Sequence, residues 1–263
     1  MNFKLSGAAR WFAIPLVSLP VCSAVKADEW LVLVSPYVWG ASMRGNVSVG
    51  GMSGELDKSL PEILSHLDSV FMGNVEVTNR RFGFYIDGVH AQTSESHSVS
   101  SQNVEATITQ TSVAFGAFYR VYEYALGSLN VFGDPRAVTV DPSFGARWTK
   151  LKAKVDVDSL GVSGSKSANW TDPLIGLRIA ADLSDRWTLL GQADFSAWDT
   201  TSKKTFSAQA FLGYRTFFFD YPTTVRVGYR VLHQEYETGD FTGNRFKYDM
   251  TQRGPGIGFT MRF

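Results

Sequence analysis

The sequence predicts an all-β protein, a closed antiparallel transmembrane β-barrel of ten strands, with eight or twelve strands as the alternatives. Apolar and polar residues alternate along many segments of the chain, as they do in a strand whose two faces meet different surroundings. The links between these segments alternate in length. No stretch after residue 28 reaches the roughly 18 consecutive apolar residues that a transmembrane helix needs.

The composition argues against two other classes of protein, disordered chains and nucleic-acid-binding proteins. The chain has 263 residues, of which 44% are hydrophobic and 14% aromatic, so it can bury a core and is not disordered. Its 25 basic residues balance 25 acidic ones. Because a nucleic-acid-binding protein needs a basic face to replace condensed counterions, this balance argues against nucleic acid as a partner.

The first 27 residues have the pattern of a secretory signal peptide. Lys4 and Arg10 precede a short apolar run at 11–21, and small residues lead to a cleavage site after Ala27, with cleavage after Ala24 as an alternative. The apolar run is too short to span a bilayer. Residues 28–263 then form one barrel domain, with 22 basic and 25 acidic residues and a net charge of −3.

Cysteine chemistry and bound cofactors are not expected in the mature chain. Cys22, the only cysteine, lies within the leader, where lipidation is the alternative to simple removal. The remaining sequence has no glycine-rich phosphate loop, nucleotide fingerprint or metal-spaced cluster of His and Asp. We therefore expect no metal and no cofactor.

Ten segments have the alternation of a strand and are long enough to cross a bilayer when tilted. They are residues 30–43, 69–78, 81–93, 103–122, 137–153, 169–183, 187–199, 204–219, 223–237 and 246–263.

The links between these segments predict the orientation of the barrel. Those at one end are polar and mostly long, namely 44–68, 94–102, 154–168, 200–203 and 238–245. Those at the other end are short (79–80, 184–186 and 220–222), with 123–136 as the exception. Such asymmetry is typical of long extracellular loops and short periplasmic turns, and ten strands would put both termini on the periplasmic side.

The first long link contains a predicted helix. Residues 59–68 have leucine and isoleucine at helical spacing, Ser59 precedes them as N-cap, and Glu62 follows three residues later. Such a helix either enters the barrel mouth as a plug or packs on the surface with the other loops. The sequence leaves both possibilities open.

The C-terminal strand carries a resemblance to a known superfamily. Phe259, Met261 and Phe263 alternate with small or polar residues, and the chain ends on the aromatic ring. This resembles the terminal strand of Gram-negative outer-membrane β-barrel proteins. The resemblance implies an outer-membrane location, contact with outer-membrane lipids, and recognition of these three residues by the barrel-assembly machinery.

The alternation also predicts which charged side chains face the lumen. If the apolar face of each strand meets lipid, six acids and seven arginines point inward. They are Glu76, Asp87, Arg120, Asp141, Arg147, Asp172, Arg178, Asp182, Asp194, Arg215, Arg226, Arg230 and Arg262. Two copies of an Asp-Pro-x-x-Gly-x-Arg motif, at 141–147 and 172–178, contribute four of them.

All the inward cations are arginine, whose planar guanidinium pairs with carboxylates at two points. A ten-stranded barrel is only slightly wider than the eight-stranded kind that side chains fill. These residues therefore indicate a lumen cross-linked by ion pairs, and a narrow channel or binding cavity is the alternative.

Three functions agree with these patterns. The first is an outer-membrane barrel with a structural or surface role, or with a narrow pore that is open or plugged. The second is a barrel enzyme at the outer rim, where His97, His233, Glu235 and Asp199 are the candidates for acid–base chemistry, although no family motif surrounds them. The third is a soluble periplasmic β-barrel that binds an apolar ligand. The oligomeric state is not predicted.

Overall fold

The computed structural model describes residues 30–49, 52–99, 102–157, 162–199, 203–239 and 245–263. The expected leader, residues 1–27, lies outside them. The described residues form thirteen strands and one helix. The elements are β1 (Leu31–Trp39), β2 (Ser42–Val49), β3 (Met52–Lys58), α1 (Leu60–Ser65), β4 (Leu67–Thr78), β5 (Phe82–Val99), β6 (Gln102–Tyr119), β7 (Tyr122–Leu129), β8 (Pro135–Val157), β9 (Val162–Asp182), β10 (Trp187–Asp199), β11 (Lys203–Phe218), β12 (Tyr221–Gly239) and β13 (Arg245–Arg262).

Ten of these strands form a closed antiparallel barrel, which confirms the predicted fold class and strand number. The order around the wall is β1, β4, β5, β6, β8, β9, β10, β11, β12 and β13, and β13 returns to pair with β1. At the closing seam, Val32 and Phe263 exchange two backbone hydrogen bonds of 3.1 and 2.9 Å. Apart from this seam, each wall strand pairs with the next wall strand along the chain, although β2, β3 and α1 lie between β1 and β4 and β7 lies between β6 and β8.

The tilt of the strands follows from the register of their pairing. A path that starts at Val32 on β1 and passes from partner to partner around the wall ends at Arg44 on β2, the strand that continues β1. Arg44 is twelve residues further along the chain than Val32. At about 3.3 Å per residue and about 4.8 Å between strands, this stagger corresponds to a tilt of roughly 40°.

The strands at the long-link end are longer than predicted, and two of the expected loops are corrected. The links expected at 94–102 and 154–168 are largely strand, because β5 runs to Val99 and β6 starts at Gln102, while β8 runs to Val157 and β9 starts at Val162. Both faces of a strand meet water beyond the bilayer. Residues 94–98 and 163–167 therefore have no apolar face, although the backbone ladder continues through them.

The segment 44–68 contributes to the wall and the rim. β2 continues the first strand after a break at Gly40 and Ala41 and pairs with β13, and β3 pairs with β2 as a hairpin. The predicted helix is present as α1, with Ser59 donating to the Glu62 carboxylate from its backbone N–H and its hydroxyl, at 2.7 and 2.6 Å. These bonds hold the pKa of Glu62 below its usual range. No residue of α1 is buried or lines the central cavity.

The link expected at 123–136 is also corrected, because most of it forms a hairpin. β7 pairs with the first part of β8, and the turn between them contains Gly133 in the left-handed region at φ 83°. β7 is exposed along its whole length. Its Gly127 likewise has a positive φ, and the register shifts between Ala125 and Leu129, so alternation does not reveal this strand.

An apolar belt surrounds the barrel near the short-turn end. On β9 the outward positions Ile175, Leu177 and Ile179 are exposed, and equivalent exposed residues occur around the wall. The others include Val38, Val75, Phe84, Ile86, Phe115, Phe144, Leu189, Phe195, Leu212, Val225, Val227 and Ile257. About ten residues of a strand tilted by about 40° give the belt the ~25 Å height of a bilayer core. Within the described ranges, no helix is long and apolar enough to cross a membrane.

Candidate functional site

The lumen contains a charged cavity at the level of the apolar belt. It has a volume of about 830 Å³ and extends to the turns at the short-turn end of the barrel. Twelve of the thirteen charged residues that we expect to face inward line it. The thirteenth, Asp172, lies in a layer of side chains above the cavity, where it is 1% exposed.

This layer, which we call the closing layer, fills the lumen on the long-hairpin side of the cavity. It contains five inward side chains that are fully buried or nearly so, Thr149, Asp172, Thr205, Gln234 and Met250. Gln234 on β12 donates to Thr149 on β8 at 3.1 Å, and Thr205 on β11 donates to Asp172 on β9 at 2.7 Å. Water does not reach these five side chains, which contact one another inside the barrel.

An aromatic cluster covers the closing layer. Trp170 stacks on Tyr236, with ring centroids 4.6 Å apart and planes inclined by 12°, and Tyr248 and Met250 complete the buried cluster. The Trp170 indole donates to Asp172 at 3.2 Å, which joins the aromatic cluster to the polar layer. A second bond across the lumen runs from Gln252 on β13 to Gln110 on β6 at 2.7 Å.

Two clusters of ion pairs cross the cavity below the closing layer. Arg178 contacts Glu76 at 2.6 Å, and its guanidinium also lies 4.0 Å from the centre of the Phe118 ring. Arg230 lies 3.5 Å from Asp87, and the Tyr37 hydroxyl contacts both of them. These contacts join strands from opposite sides of the wall.

A third set of ion pairs lies at the short-turn end. Asp134, in the turn after β7, contacts Arg80 and Arg262 at 2.6 Å each. The same turn reaches the β9–β10 turn through a bond from the Val131 N–H to the Asp185 carbonyl, and Phe132 packs on Phe217. Residues 130–134 therefore lie across this mouth of the barrel, and we call them the cap.

Two more ion pairs of the expected network lie near the cap. Arg120 contacts Asp141 through two nitrogens, at 2.9 and 3.2 Å, and Arg215 pairs with Asp182. Asp194 accepts two hydrogen bonds from Gln192, at 3.2 and 3.0 Å. A buried side-chain nitrogen on each of two further arginines, Nη1 of Arg147 and Nε of Arg226, has no hydrogen-bond partner among the described residues. The Arg226 guanidinium lies 5.9 Å from the centre of the Phe211 ring.

The two Asp-Pro-x-x-Gly-x-Arg motifs lie side by side on β8 and β9. Their antiparallel register sets Asp141 opposite Arg178, and Arg147 opposite Asp172. The glycines leave space that other groups use, since a β-carbon at Gly176 would lie 2.2 Å from the Asp194 carboxylate. Arg178 does not pair with Asp141 across the motifs, however, because Arg178 contacts Glu76 and Asp141 contacts Arg120.

Sequence reasoning missed several residues of this site. Tyr37, Trp170 of the aromatic cluster and Gln234 of the closing layer all occupy inward positions, which alternation identifies. The expected lumen network includes only charged residues and therefore leaves these three out. Asp134 has no such signal, because it lies in the turn of the irregular β7–β8 hairpin.

The residues considered for catalysis at the rim do not form a site among the described side chains. His233 points outward, with its Nδ1 3.0 Å from the Thr251 hydroxyl, while Glu235 lies 3.8 Å from Lys204. The side chains of His97 and Asp199 lie outside the described part. In that part, no group of three or more His, Cys, Asp or Glu side chains could hold a metal ion.

Of the residues considered as an assembly signal, Phe259 and Met261 lie on the outer face of β13, and Phe263 follows directly after this strand. Phe259 and Phe263 are 40% and 45% exposed, and Met261 is half-buried between them. The Phe263 ring lies 5.0 Å from the ring of Tyr221 on β12.

Comparisons with known proteins support the fold. No protein-family model matches the chain, and no curated protein does. The outer membrane protease OmpT from Escherichia coli matches with a TM-score of 0.51 at 9% identity, over 92% of this chain and 99% of that one. Ail, the attachment invasion locus protein of Yersinia pestis, matches with a TM-score of 0.37 at 16% identity, over 90% and 100% of the two chains.

The translocator domain of the autotransporter NalP from Neisseria meningitidis also matches, with a TM-score of 0.33 at 14% identity over 90% of each chain. The likeness to OmpT shows the fold alone at this level of identity. The chain therefore shares the closed-barrel fold of this outer membrane protein, which is the fold that the resemblance of its C-terminal strand implies.

Proposed function

We propose that this protein is an integral outer-membrane barrel with a sealed lumen, and that it acts at the cell surface through its long hairpins. The short-turn end then faces the periplasm. The observation that carries the proposal is the closing layer, in which Thr149, Thr205 and Gln234 are no more than 1% exposed. A barrel used as an open pore would keep its inward side chains in contact with water.

The extended hairpins supply the surface for such a role. Beyond the belt, the outward positions of β8 carry Lys150, Lys152 and Lys154, and those of the neighbouring β6 carry Thr107 and Thr109. These outward side chains are suited to water. The hairpins therefore rise above the bilayer, where they can meet partners outside the cell.

The other two functions receive less support. A soluble barrel that binds an apolar ligand needs an apolar interior and a polar exterior, whereas this barrel has a charged cavity and an apolar belt. A hydrolase at the rim needs a histidine oriented by an acid, and the described contacts of His233 include none.

We also propose that outer-membrane lipids contact the belt and that the barrel-assembly machinery recognises Phe259, Met261 and Phe263. The exposure of the two phenylalanines on the last strand supports this role, because a recognition signal must be accessible before the barrel closes.

Single-channel recording in planar lipid bilayers tests the sealed lumen. We expect the wild-type barrel to give no steady conductance steps. The double variant Trp170→Gly with Met250→Gly should conduct, because it removes two large side chains from the lumen. Thr171→Gly with Thr251→Gly is the matched control, since it changes outward neighbours on the same strands. Steady wild-type conductance would contradict the proposal.

A further inference from the structure

The upper part of β9 has a backbone edge that pairs with no other strand among the described residues. β9 pairs with β8 from its first residue onward, but it pairs with β10 only from Ile175 to Asp182. Residues 200–202 alone join β10 to β11. At about 3.3 Å per residue, this link is too short to cover the part of β9 that rises above β10. We call residues 163–169 of β9 the free edge.

The backbone groups of the free edge point away from β8. The Leu183 N–H donates to the Trp187 carbonyl at 2.9 Å, so Leu183 and every second residue before it on β9 direct their N–H and C=O groups toward the β10 side. Neither ladder of β9 contains a register shift. The N–H groups of Ser165, Ser167 and Asn169 are therefore on the free edge, where an added strand could accept them.

The free edge lacks the features that usually prevent strand addition. In natural sheets, proline, β-bulges and charged side chains protect exposed edges. Residues 163–169 contain no proline and one charged residue, Lys166, and their ladder with β8 has no bulge. At Gly164 an added β-carbon would meet no atom within 4 Å beyond its chain neighbours. An extended segment can therefore approach this backbone closely.

A row of lysines lies beside the free edge on the outer face of the barrel. Lys150, Lys152 and Lys154 on β8 stand opposite alternate residues of β9, from Asn169 to Ser165, and all three lysine side chains are exposed. A strand added to β9 would lie about 10 Å from β8. Its outward side chains would be near this lysine row, which favours acidic residues at every second position.

We propose that the free edge receives an extended acidic segment of a partner protein as an added strand. Backbone hydrogen bonds to β9 supply the pairing, and carboxylates at alternate positions face the lysine row. This inference rests on the proposed surface role, because the upper part of β9 then lies outside the cell.

The test measures binding of a fluorescein-labelled peptide, in which glutamate alternates with threonine, to the refolded chain in detergent micelles by fluorescence anisotropy. A second peptide has lysine in place of glutamate. We expect saturable binding of the glutamate peptide. The lysine peptide should bind about tenfold more weakly or worse, because its charges repel those of the lysine row.

The backbone pairing is tested at one position of the free edge. Ser167→Pro should weaken binding of the glutamate peptide about tenfold, because it removes an edge N–H and places a proline ring where the added strand must approach. Ser167→Ala is the matched control. It retains the N–H and should bind as the wild type does. This N–H does not point toward β8, so both variants retain the hydrogen bonds between β8 and β9.

The lysine row is tested separately. Lys150→Gln combined with Lys152→Gln should weaken binding of the glutamate peptide about fivefold and remove most of its salt dependence. Lys247→Gln is the matched control, since this lysine side chain is 40% exposed but lies on β13. Each variant is first checked for folding by its shifted mobility on unheated gels, so the double lysine variant remains informative if Ser167→Pro does not fold.

Absence of saturable binding would overturn the proposal, as would equal affinity for the two peptides or equal binding by Ser167→Pro and Ser167→Ala. Sedimentation of the chain without peptide gives a further outcome. A dimer that Ser167→Pro dissociates would assign the free edge to a second copy of the chain and would also overturn the proposal. None of these results bears on the sealed lumen, which the conductance recording tests separately.

Discussion

At the scale of single residues, the ion pairs that cross the lumen depend on which carboxylate each arginine contacts. Arg178 lies opposite Asp141 in the β8–β9 ladder but pairs with Glu76, four strands away around the wall. A long arginine side chain extends into the middle of the barrel. Its guanidinium can therefore contact a carboxylate from the opposite wall as well as one from the neighbouring strand. Cross-lumen pairs of this kind tie distant strands together.

The Arg178–Glu76 pair gives a prediction for stability. Glu76→Gln should lower the free energy of unfolding by about 3–5 kcal/mol, because it leaves the Arg178 charge buried without its partner. Glu76→Leu combined with Arg178→Met should recover most of this loss. Urea titration of the barrel in phosphatidylcholine vesicles measures both changes.

The exposed pair Arg44–Asp57, at 3.4 Å with side chains 67% and 61% exposed, provides the control. Asp57→Asn should change the free energy of unfolding by less than about 1 kcal/mol, because solvent screens the pair. An equal loss in Glu76→Gln and Asp57→Asn would show that cross-lumen pairing adds no stability.

At the scale of elements, the sequence reveals strands only where their two faces differ. β9 was recognised from Ile175, Leu177 and Ile179, whose outward apolar side chains alternate with an inward glycine and Arg178. Its first part, before Asn169, is polar on both faces and resembles a loop. β7 was missed for another reason, because glycine interrupts its alternation and the register of its pairing shifts.

The partners of the charged residues could not be predicted in the same way. Alternation assigns Arg147 and Arg226 to the inward face, but the distance across the lumen depends on the tilt and on the side chains that fill it. Both quantities belong to the closed barrel rather than to any one strand.

The belt on β9 gives a second prediction. Leu177→Arg should destabilise the barrel by about 2–4 kcal/mol, because it puts a charge in the hydrocarbon region. Asn169→Arg is the matched control on the same strand and face, beyond the belt, and it should have little effect. Urea titration in vesicles measures both, and equal effects would contradict the position of the belt.

At the scale of the whole molecule, closure requires that the ends of the chain meet. β13 follows the other wall strands in this sequence, and it provides the partner for β1 as well as for β12. The residues proposed as an assembly signal therefore lie on the strand that completes the wall.

This arrangement predicts the effect of the terminal ring. Phe263→Ala should reduce the amount of folded barrel in the outer membrane of cells severalfold while leaving the refolding yield in detergent close to the wild-type value. The ring is half-exposed in the folded barrel, so its removal costs little there. Quantitative blotting of unheated samples gives both measurements.

Phe144→Ala is the control for this experiment, because Phe144 is also an exposed outward ring but lies on β8. If both variants lowered the cellular yield equally, the terminal position would have no special role in assembly.

The seam between β1 and β13 also limits how such a chain can change its length over generations. An antiparallel seam requires that the first and last strands run in opposite directions, and this holds only for an even number of strands. Loss of a single strand would leave the first and last strands of the wall parallel to each other. It would also move the end of the last strand to the other side of the membrane. Duplication or deletion of one whole hairpin preserves both the antiparallel seam and the side on which the last strand ends. A barrel of this kind therefore gains or loses strands two at a time.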